Sequence, residues 1–279
     1  MQEIYYLNHI NQKINLLESP YRLQTGDFFS YSWTYESTNN TGRYGSKITR
    51  FNRAITEKNF DISIMSKTKE LYYSALNHFL EVTETDVLNK KPGKLYIGEQ
   101  YISCYLISSV KAKWESGNNF LENKVKLVSE YPFWITESNY NFLKPVSLSG
   151  DNKRYPHRYT YRYVAGLNEK TILNNHFAPS DMRIVIYGPV LNPFIIIGNN
   201  TYAINIELLD AEYLILDTSS KTIRKIMNDG TEINAFNNRV KIYDVFAKIS
   251  TGSQSISWNG NFMFDVTIFE ERSEPKWSL

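Results

Sequence analysis

Cysteine is almost missing from the sequence, whose 279 residues include a single one, Cys104. One thiol cannot form a disulfide within the chain, so no internal disulfide framework is expected. Cys104 lies in an alternating apolar segment, which favours a buried structural cysteine over a reactive nucleophile. A chain of this kind fits synthesis in a reducing cytoplasm.

An excess of charge of one sign is also missing, because 31 basic residues face 29 acidic ones and give a net charge of +2. Binding to a phosphate backbone usually leaves a clustered basic excess, so nucleic-acid binding is not expected. Apolar runs such as 194–197 are far shorter than the ~20 residues that cross a bilayer, so no membrane insertion is expected. The N-terminus has no basic start followed by an apolar block, so no secretory signal is expected.

Motifs for catalysis, cofactors and metals are absent as well. The sequence has no HExxH, CxxC, GxSxG or Walker pattern, and its four histidines are scattered. A glycosidase-like pair of carboxylates is the one catalytic alternative, with Glu207 and Asp217 as its candidates. These two acids and their neighbours Asp210 and Glu212 occupy a polar strand face, a turn and a strand end, where solvated acids normally lie. The sequence therefore favours a protein that is not an enzyme and holds no cofactor or metal.

Aromatic residues, in contrast, are abundant, at 15% of the chain with 21 Tyr and 15 Phe. Aromatic rings favour strands because they pack well on a pleated surface. The length suits two packed cores. We therefore predict a mainly β protein of two domains. Residues 1–145 form a β-sandwich with one α-helix and a β-hairpin, and residues 146–279 form an antiparallel β-sandwich.

The first half shows one clear strand pattern and one helical pattern. Phe29, Tyr31, Trp33 and Tyr35 alternate with polar residues, which predicts a strand with an aromatic face and a hydroxyl-rich face. Apolar residues at helical spacing predict a helix over 67–84, with Ser66 as N-cap.

Further along, alternation over Lys94 to Leu106 predicts a hairpin that turns at residues 98–100. Residues 137–156 lose periodicity and predict a connector. The tyrosines between 155 and 163, interleaved with arginines, fit a strand better than a base-stacking platform.

The second half reads as short strands separated by turns. Alternation over 201–208, then 213–217, then 222–226 predicts a three-stranded meander. Asn259-Gly260 lies between two alternating segments, 256–258 and 262–268, and Asn-Gly is a strong signal for a tight hairpin turn.

A series of residues in this half also resembles a known family. The series comprises Gly188-Pro189, Asn192-Pro193, Ile195, Ile197-Gly198, Tyr202, Ile204, Ile206, the segment 212–217, Asp229-Gly230, Phe236 and the ending 272–277. Its order is similar to the C-terminal half of the distal tail proteins (Dit) of long-tailed, siphovirus-type phages. The segment 131–134 and the elements before it are similar to the N-terminal half of that family.

The resemblance implies a structural role at the tip of a phage tail. In this family an N-terminal sandwich assembles into a ring, usually hexameric, at the end of the tail tube, and a galectin-like sandwich projects from it. The implied partners are further copies of the chain, the tail tube protein, and the tail-tip or baseplate and receptor-binding proteins. The implied location is the virion tail tip, after synthesis in the cytoplasm of the bacterial host.

Two sets of aromatic residues are candidates for binding surfaces. A closed ring needs head-to-tail contacts, and tyrosine is enriched at interfaces, so Tyr96, Tyr101 and Tyr105 are the predicted oligomer interface. Packing within one subunit is the alternative for each of them. The alternative function is a saccharide-binding module for host cell-wall recognition, with Tyr202 and Trp258 as its aromatic platform.

Overall fold

Antiparallel strands build most of the chain in the computed structural model, which describes residues 3–39, 42, 44–112, 114–144 and 168–277. The predicted mainly β fold is confirmed. The predicted strand at 155–163 and the predicted domain boundary between residues 145 and 146 lie outside these ranges.

The described part of the chain contains twenty-one strands, one α-helix and one short 3-10 helix. The strands are β1 Ile4–Leu7, β2 Lys13–Asn15, β3 Tyr21–Gly26, β4 Thr34–Asn39, β5 Ser46–Asn52, β6 Thr56–Met65, β7 Gly93–Ile97, β8 Gln100–Ala112, β9 Phe120–Ser129, β10 Trp134–Phe142, β11 Asn168–Asn174, β12 Asp181–Tyr187, β13 Val190–Leu191, β14 Phe194–Ile197, β15 Asn200–Ala203, β16 Glu207–Leu208, β17 Tyr213–Asp217, β18 Thr222–Ile226, β19 Glu232–Asn234, β20 Gly252–Trp258 and β21 Met263–Arg272. The helices are α1 Lys69–Asn89 and the 3-10 turn Phe236–Asn238.

The chain divides into two units, one of Met1–Thr136 together with Glu271–Leu279 and one of Glu137–Glu270. The C-terminal segment groups with the first unit through specific contacts. The ring of Trp277 stacks on Phe29 with centroids 4.1 Å apart, and the backbone N–H of Lys276 donates to Gln100 Oε1 over 2.8 Å.

In the first unit one long strand takes part in two sheets. The first part of β8, residues 100–104, lies in a sheet with the antiparallel order β2-β1-β7-β8-β10. The second part, residues 105–112, lies in the order β8-β9-β6-β3. A bulge between Leu106 and Ser108 marks the change, since bulges bend a strand and increase its twist. The predicted hairpin is present as β7 and β8, joined at Gly98-Glu99.

Helix α1 covers the core of this unit with one stripe of side chains. Its first turn is capped by Thr68, whose side chain accepts from the N–H of Leu71, and it ends at Lys90 in the left-handed conformation. The predicted cap Ser66 is therefore wrong by two residues, and the helix runs five residues beyond the predicted end. The buried stripe consists of Tyr72, Ala75, Phe79, Val82, Thr83 and Asp86.

The predicted aromatic strand at residues 29–36 is wrong in its start and in its burial. Strand β4 begins at Thr34, and every residue of β4 is exposed. It pairs with β5 alone in a two-stranded sheet. The alternation of Tyr31, Trp33 and Tyr35 is present in the sequence, but these residues stay exposed.

The second unit is a two-sheet sandwich. One sheet has the order β19-β18-β17-β12-β21, and the other has the order β11-β20-β14-β15. Residues of both sheets share one core, as the aligned packing of two sheets requires. Its members include Ile184, Leu214 and Val266 from the first sheet and Ile195, Tyr202, Ile256 and Trp258 from the second.

Three predictions about this half need correction. The expected meander is present as β17-β18-β19, but β15 pairs with β14 in the opposite sheet. The expected hairpin at Asn259-Gly260 does not form, because β20 pairs with β11 and β14 while β21 pairs with β12. The turn instead passes the chain from one sheet to the other. The expected connector begins too early, since β10 continues to Phe142.

Candidate assembly surface

The predicted interface tyrosines Tyr96 and Tyr101 belong to an aromatic ladder on the sheet of β1, β7 and β8. The rings of Tyr5 and Tyr96 stack with centroids 4.6 Å apart, and Tyr96 lies 5.3 Å from Tyr101. Lysine ammonium groups cover both ends, with Lys13 Nζ 4.0 Å from the Tyr5 centroid and Lys94 Nζ 3.9 Å from that of Tyr101. Tyr101 is buried within the unit, so the ladder mainly stabilises the subunit itself.

Tyr105 lies apart from the ladder, further along β8. It lines a shallow groove together with Val87 and Lys90 at the end of α1, and with Ile107 and Glu130. Val87 and Ile107 are exposed apolar residues. Burial raises the pKa of the Tyr105 hydroxyl. Of the three predicted residues, Tyr105 thus lies next to exposed apolar surface.

The hairpin of β4 and β5 was not expected from the sequence. One of its faces is apolar, and no other part of the described chain covers that face. Tyr35 is paired with Phe51 across the two strands, and Ser37 is paired with Ile48. Tyr35 and Ser37 are two residues apart on β4 and share one face, and their cross-strand partners Phe51 and Ile48 lie on that face with them. A bulge between these two pairs accommodates the extra residue of β5. Tyr35, Phe51 and Ile48 are 63%, 60% and 45% exposed. The opposite face carries polar and charged residues, among them Glu36, Lys47 and Arg50.

The base of this hairpin is fixed by two basic side chains. Lys58 is buried, and its ammonium group donates to the carbonyl oxygens of Asp27, over 3.0 Å, and Ser30, over 2.5 Å. Desolvation lowers the pKa of this lysine.

Arg53 lies among aromatic rings, with its guanidinium 4.8 Å from the Phe133 centroid and 5.5 Å from that of Trp33. Desolvation lowers its pKa too. The chain thus enters and leaves an exposed hairpin from an ordered base.

A second exposed apolar feature lies on α1. A groove of about 560 Å³ is lined by Leu76, Asn77 and Leu80 of the helix and by Lys111, Trp114 and Leu121 from the region of β8 and β9. Trp114 is 58% exposed and Leu80 is 45% exposed. The exposed acids Glu81 and Glu84 follow within one turn of Leu80, so the groove has an acidic edge.

The aromatic residues predicted as a saccharide platform lie inside the second unit. Tyr202 and Trp258 are 2% and 0% exposed. The Tyr202 hydroxyl donates to the Ala247 carbonyl over 2.9 Å, and the Trp258 indole N–H donates to the Phe262 carbonyl over 3.2 Å. Burial raises the pKa of Tyr202 to about 12. A platform for a sugar must present its ring face to solvent, and these two rings pack in the core instead.

The acids considered for catalysis do not share one environment. Glu207 and Asp210 are exposed. Asp217 accepts from the backbone N–H groups of Ser219 and Ser220, both over 3.0 Å, and from the guanidinium of Arg183 over 3.2 Å. Burial alone would raise the pKa of Asp217, but these hydrogen bonds and the arginine lower it overall.

Glu212, expected in a solvated turn, is buried instead and pairs with Lys225 over 2.6 Å. The Lys225 ammonium lowers its pKa. Both Glu212 and Asp217 therefore stabilise turns.

A buried polar cluster in the first unit was not predicted. Asp86 of α1 is fully buried, accepts from the Tyr6 hydroxyl, and lies 2.6 Å from His9 Nδ1. The pKa of Tyr6 is raised, mainly by burial. Asp86 falls on the buried stripe of α1, and this position is the signal that a helical projection of the sequence could have given.

Two other kinds of site are missing from the described residues. No three His, Cys, Asp or Glu side chains within those ranges lie close enough to hold a metal ion. None of the helices described is long and apolar enough to cross a bilayer.

The hairpin surface was also missed, although two signals for it exist. The segments 34–39 and 46–52 flank a polar stretch with Asn and Gly, as in a hairpin. Residues 34–53 also carry four basic residues against one acidic residue, which suits an exposed segment. The alternation of aromatic residues nevertheless favoured a buried face.

The described chain thus consists of two antiparallel β units, and the first unit carries exposed apolar surface on the β4–β5 hairpin and beside α1. Solved structures of phage tail components share this fold. The chain is similar to the crystal structure of SPP1 Dit (gp 19.1), described as a paradigm of the hub adsorption apparatus in phages that infect Gram-positive bacteria. The TM-score is 0.60 at 9% identity, over 98% of this chain and 99% of that one.

The chain is also similar to a component of the phage P2 baseplate in its activated conformation with Ca, with a TM-score of 0.63 at 16% identity over 98% and 99% of the two chains. The same baseplate with Sr gives 0.60 at 16% identity, with equal coverage. No protein-family model and no curated protein matches the sequence. The resemblance to distal tail proteins is therefore confirmed at the level of the fold.

Proposed function

We propose that the protein is a structural distal tail protein at the tip of a phage tail. The observation that supports this function is the shared fold along nearly the whole length of both chains, including the helix-bearing first unit and the sandwich of the second unit. A single β-sandwich recurs in many functions and would support little by itself. The same pair of units in one chain is a more specific arrangement.

In this proposal the first unit forms a ring, with six copies as the family resemblance implies. The exposed apolar face of Tyr35, Ile48 and Phe51 supports assembly, because soluble monomers rarely leave such faces uncovered. Tyr105, beside exposed Val87 and Ile107, is proposed to contribute to a contact surface. Tyr96 and Tyr101 are proposed to support this part of the sheet from within the subunit, through the aromatic ladder.

The ring is proposed to join the tail tube protein to the tail-tip or baseplate proteins and to the receptor-binding proteins. The second unit acts as a scaffold in this role, since the rings of Tyr202 and Trp258 stabilise its core. No enzymatic step is proposed, because Asp217 is engaged in turn contacts while Glu207, the other candidate acid, is exposed on its strand.

Two measurements test the proposal. Light scattering and negative-stain electron microscopy of the purified protein should give closed rings. Antibodies against the second unit should label assembled tails at the tip. A protein that stays monomeric at high concentration and is missing from tail tips would contradict the proposed function.

A further inference from the structure

Two exposed apolar surfaces lie at different places on the first unit, and they complement each other. The first is the apolar hairpin face of Tyr35, Ile48 and Phe51. The second is the helix groove, lined by Leu76, Asn77, Leu80, Lys111, Trp114 and Leu121. We propose that the hairpin face of one copy docks in the helix groove of the next copy. This inference rests on the ring-forming role proposed above and assigns its contact.

The shapes of the two surfaces support this pairing. The hairpin is a ribbon of only two strands, and such a ribbon is marginally stable unless its apolar side packs against something. The helix groove is concave and offers Trp114 and Leu80 as apolar walls. A ribbon that places Phe51 and Ile48 in this groove buries apolar surface on both partners, which favours association.

The charges of the two segments also match. Residues 34–53 carry four basic residues and one acidic residue, a net charge of +3. Helix α1 carries one lysine against four acidic residues, a net charge of −3 with histidine neutral. The buried Asp86 is engaged with Tyr6 and His9, while Glu70, Glu81 and Glu84 are exposed. Opposite potentials of this kind steer association and select the partner.

Lys111 is the basic side chain among the residues that line the helix groove. Its positive charge is not expected to repel the basic hairpin strongly. Its ammonium group donates to Ser109 Oγ over 2.7 Å, which holds it on its own strand. Lys69 likewise lies over the ring of Tyr73, 5.7 Å from the centroid. Glu81 and Glu84 are exposed on α1 beside the groove, and neither of these two lysine contacts involves them.

The geometry of the contact follows from the position of the two surfaces. A contact between two different surfaces of identical chains is heterologous, and each copy can then use its hairpin on one neighbour and its groove on the other. Such contacts close into a ring when the rotation between neighbours permits it. A contact of hairpin with hairpin would instead give a closed pair.

Cysteine cross-linking of mixed variants tests this contact directly. The native Cys104 is fully buried, so an introduced cysteine supplies the reactive thiol. Ile48→Cys and Leu80→Cys are prepared separately, each as the full chain, and their folding is checked by circular dichroism. After mixing and mild oxidation, we expect a covalent species of twice the chain mass of 32.6 kDa. Each variant alone should remain uncross-linked.

A matched control replaces the groove position by an exposed residue of the second unit. Ile242 is 81% exposed, so Ile242→Cys mixed with Ile48→Cys should give no covalent pair. The Ile48→Cys, Leu80→Cys double variant should form a ladder of covalent oligomers that ends at the number of copies in the ring.

Charge reversal provides a second, reversible measurement. Lys47→Glu with Arg50→Glu should raise the apparent dissociation constant of the oligomer about tenfold or more, as the loss of steering and the new like charges weaken the contact. Adding Glu81→Lys and Glu84→Lys to the same chain restores opposite charges and should recover association.

The possible outcomes distinguish a failure of the proposed contact from a failure of the proposed ring. If the wild type forms oligomers but the Ile48 and Leu80 thiols cross-link no more than the Ile242 control, the proposed contact is wrong while the ring stands. Efficient cross-linking of Ile48→Cys by itself would also overturn it, in favour of a hairpin pair. A wild-type protein that stays monomeric would instead refute the ring.

Discussion

Tyr35 and Phe51 face each other across the hairpin of β4 and β5, and both rings are exposed. Such cross-strand aromatic pairs normally stabilise a sheet by packing under a second layer. Here the second layer is missing from the described chain, although the base of the hairpin is ordered by Lys58 and Arg53. The hairpin is thus built as an element whose apolar side is completed by another molecule.

Phe51 is exposed, whereas Phe60 on β6, the next strand along the chain, is buried in the core. We therefore predict that replacing them by alanine has very different effects on the free energy of unfolding. Phe60→Ala should lower the free energy of unfolding by about 3–5 kcal/mol, because it leaves a cavity. Phe51→Ala should change it by less than about 0.5 kcal/mol in the monomer. Urea denaturation at dilute protein measures both, and equal losses would show that the hairpin face is covered within the subunit.

Lys58 is expected to hold the segment that leads into the hairpin. Lys58→Met removes the donor for the carbonyls of Asp27 and Ser30, and should cost about 1–3 kcal/mol because two hydrogen bonds from a charged donor are lost. Hydrogen exchange of residues 27–35 should become faster. Lys47→Met, at an exposed position of the same hairpin, is the control and should leave exchange at 27–35 unchanged. Unaltered exchange in the Lys58 variant would contradict this role.

Asp86 is expected to be a stabilising residue of the first unit. Asp86→Ala leaves the Tyr6 hydroxyl and the His9 ring without their buried acceptor, and should lower the free energy of unfolding by about 3 kcal/mol. Asp86→Asn keeps an acceptor and should cost less. Glu84→Ala, exposed on the same helix, should change stability by less than about 0.5 kcal/mol. A loss in the Glu84 variant as large as that of Asp86→Ala would argue against the cluster.

Local patterns in the sequence predicted the elements whose partners lie nearby. The β7–β8 hairpin and the β17–β18 pair join neighbouring segments, so alternation and turn residues suffice to define them. The strands around Asn259-Gly260 show the limit of this approach. The same alternation fits a hairpin or a crossing between two sheets, and the choice depends on distant partners such as β11 and β12.

Burial was the second quantity that alternation could not predict. The pattern at Tyr31, Trp33 and Tyr35 shows two different faces, but it does not tell whether anything covers the aromatic one. The same difficulty applies to Tyr202 and Trp258, which were predicted as a platform and lie in the core. An aromatic residue on a strand tends to pack against another layer of the protein. The local sequence does not show whether that layer comes from the same chain or from a partner.

Cys104 is expected to be unreactive in the folded protein. The thiol is fully buried and burial raises its pKa to about 12, so the reactive thiolate is rare at neutral pH. Ellman's reagent at pH 8 should release no colour from the native protein and one equivalent after unfolding in urea. Rapid reaction of the native protein would show that β8 opens, and would also remove the basis of the cross-linking experiment.

The buried hydroxyl of Tyr202 is expected to make the folded protein less stable at alkaline pH. Burial raises its pKa from 10.0 to about 12 in the folded protein. The unfolded chain therefore releases this proton first, so the contribution is fully present below pH 10 and is lost as the pH rises through about 12. Tyr202→Phe should cost about 1 kcal/mol at pH 7, because the hydrogen bond to Ala247 is lost.

Between pH 10 and 12 the stability of the Tyr202→Phe variant should fall less steeply than that of the wild type. Urea denaturation at pH 9, 10 and 11 measures the two slopes, with the exposed Tyr44→Phe as the control that should retain the wild-type slope. Parallel curves for Tyr202→Phe and the wild type would show that the hydroxyl ionises as readily in the folded core as in the unfolded chain.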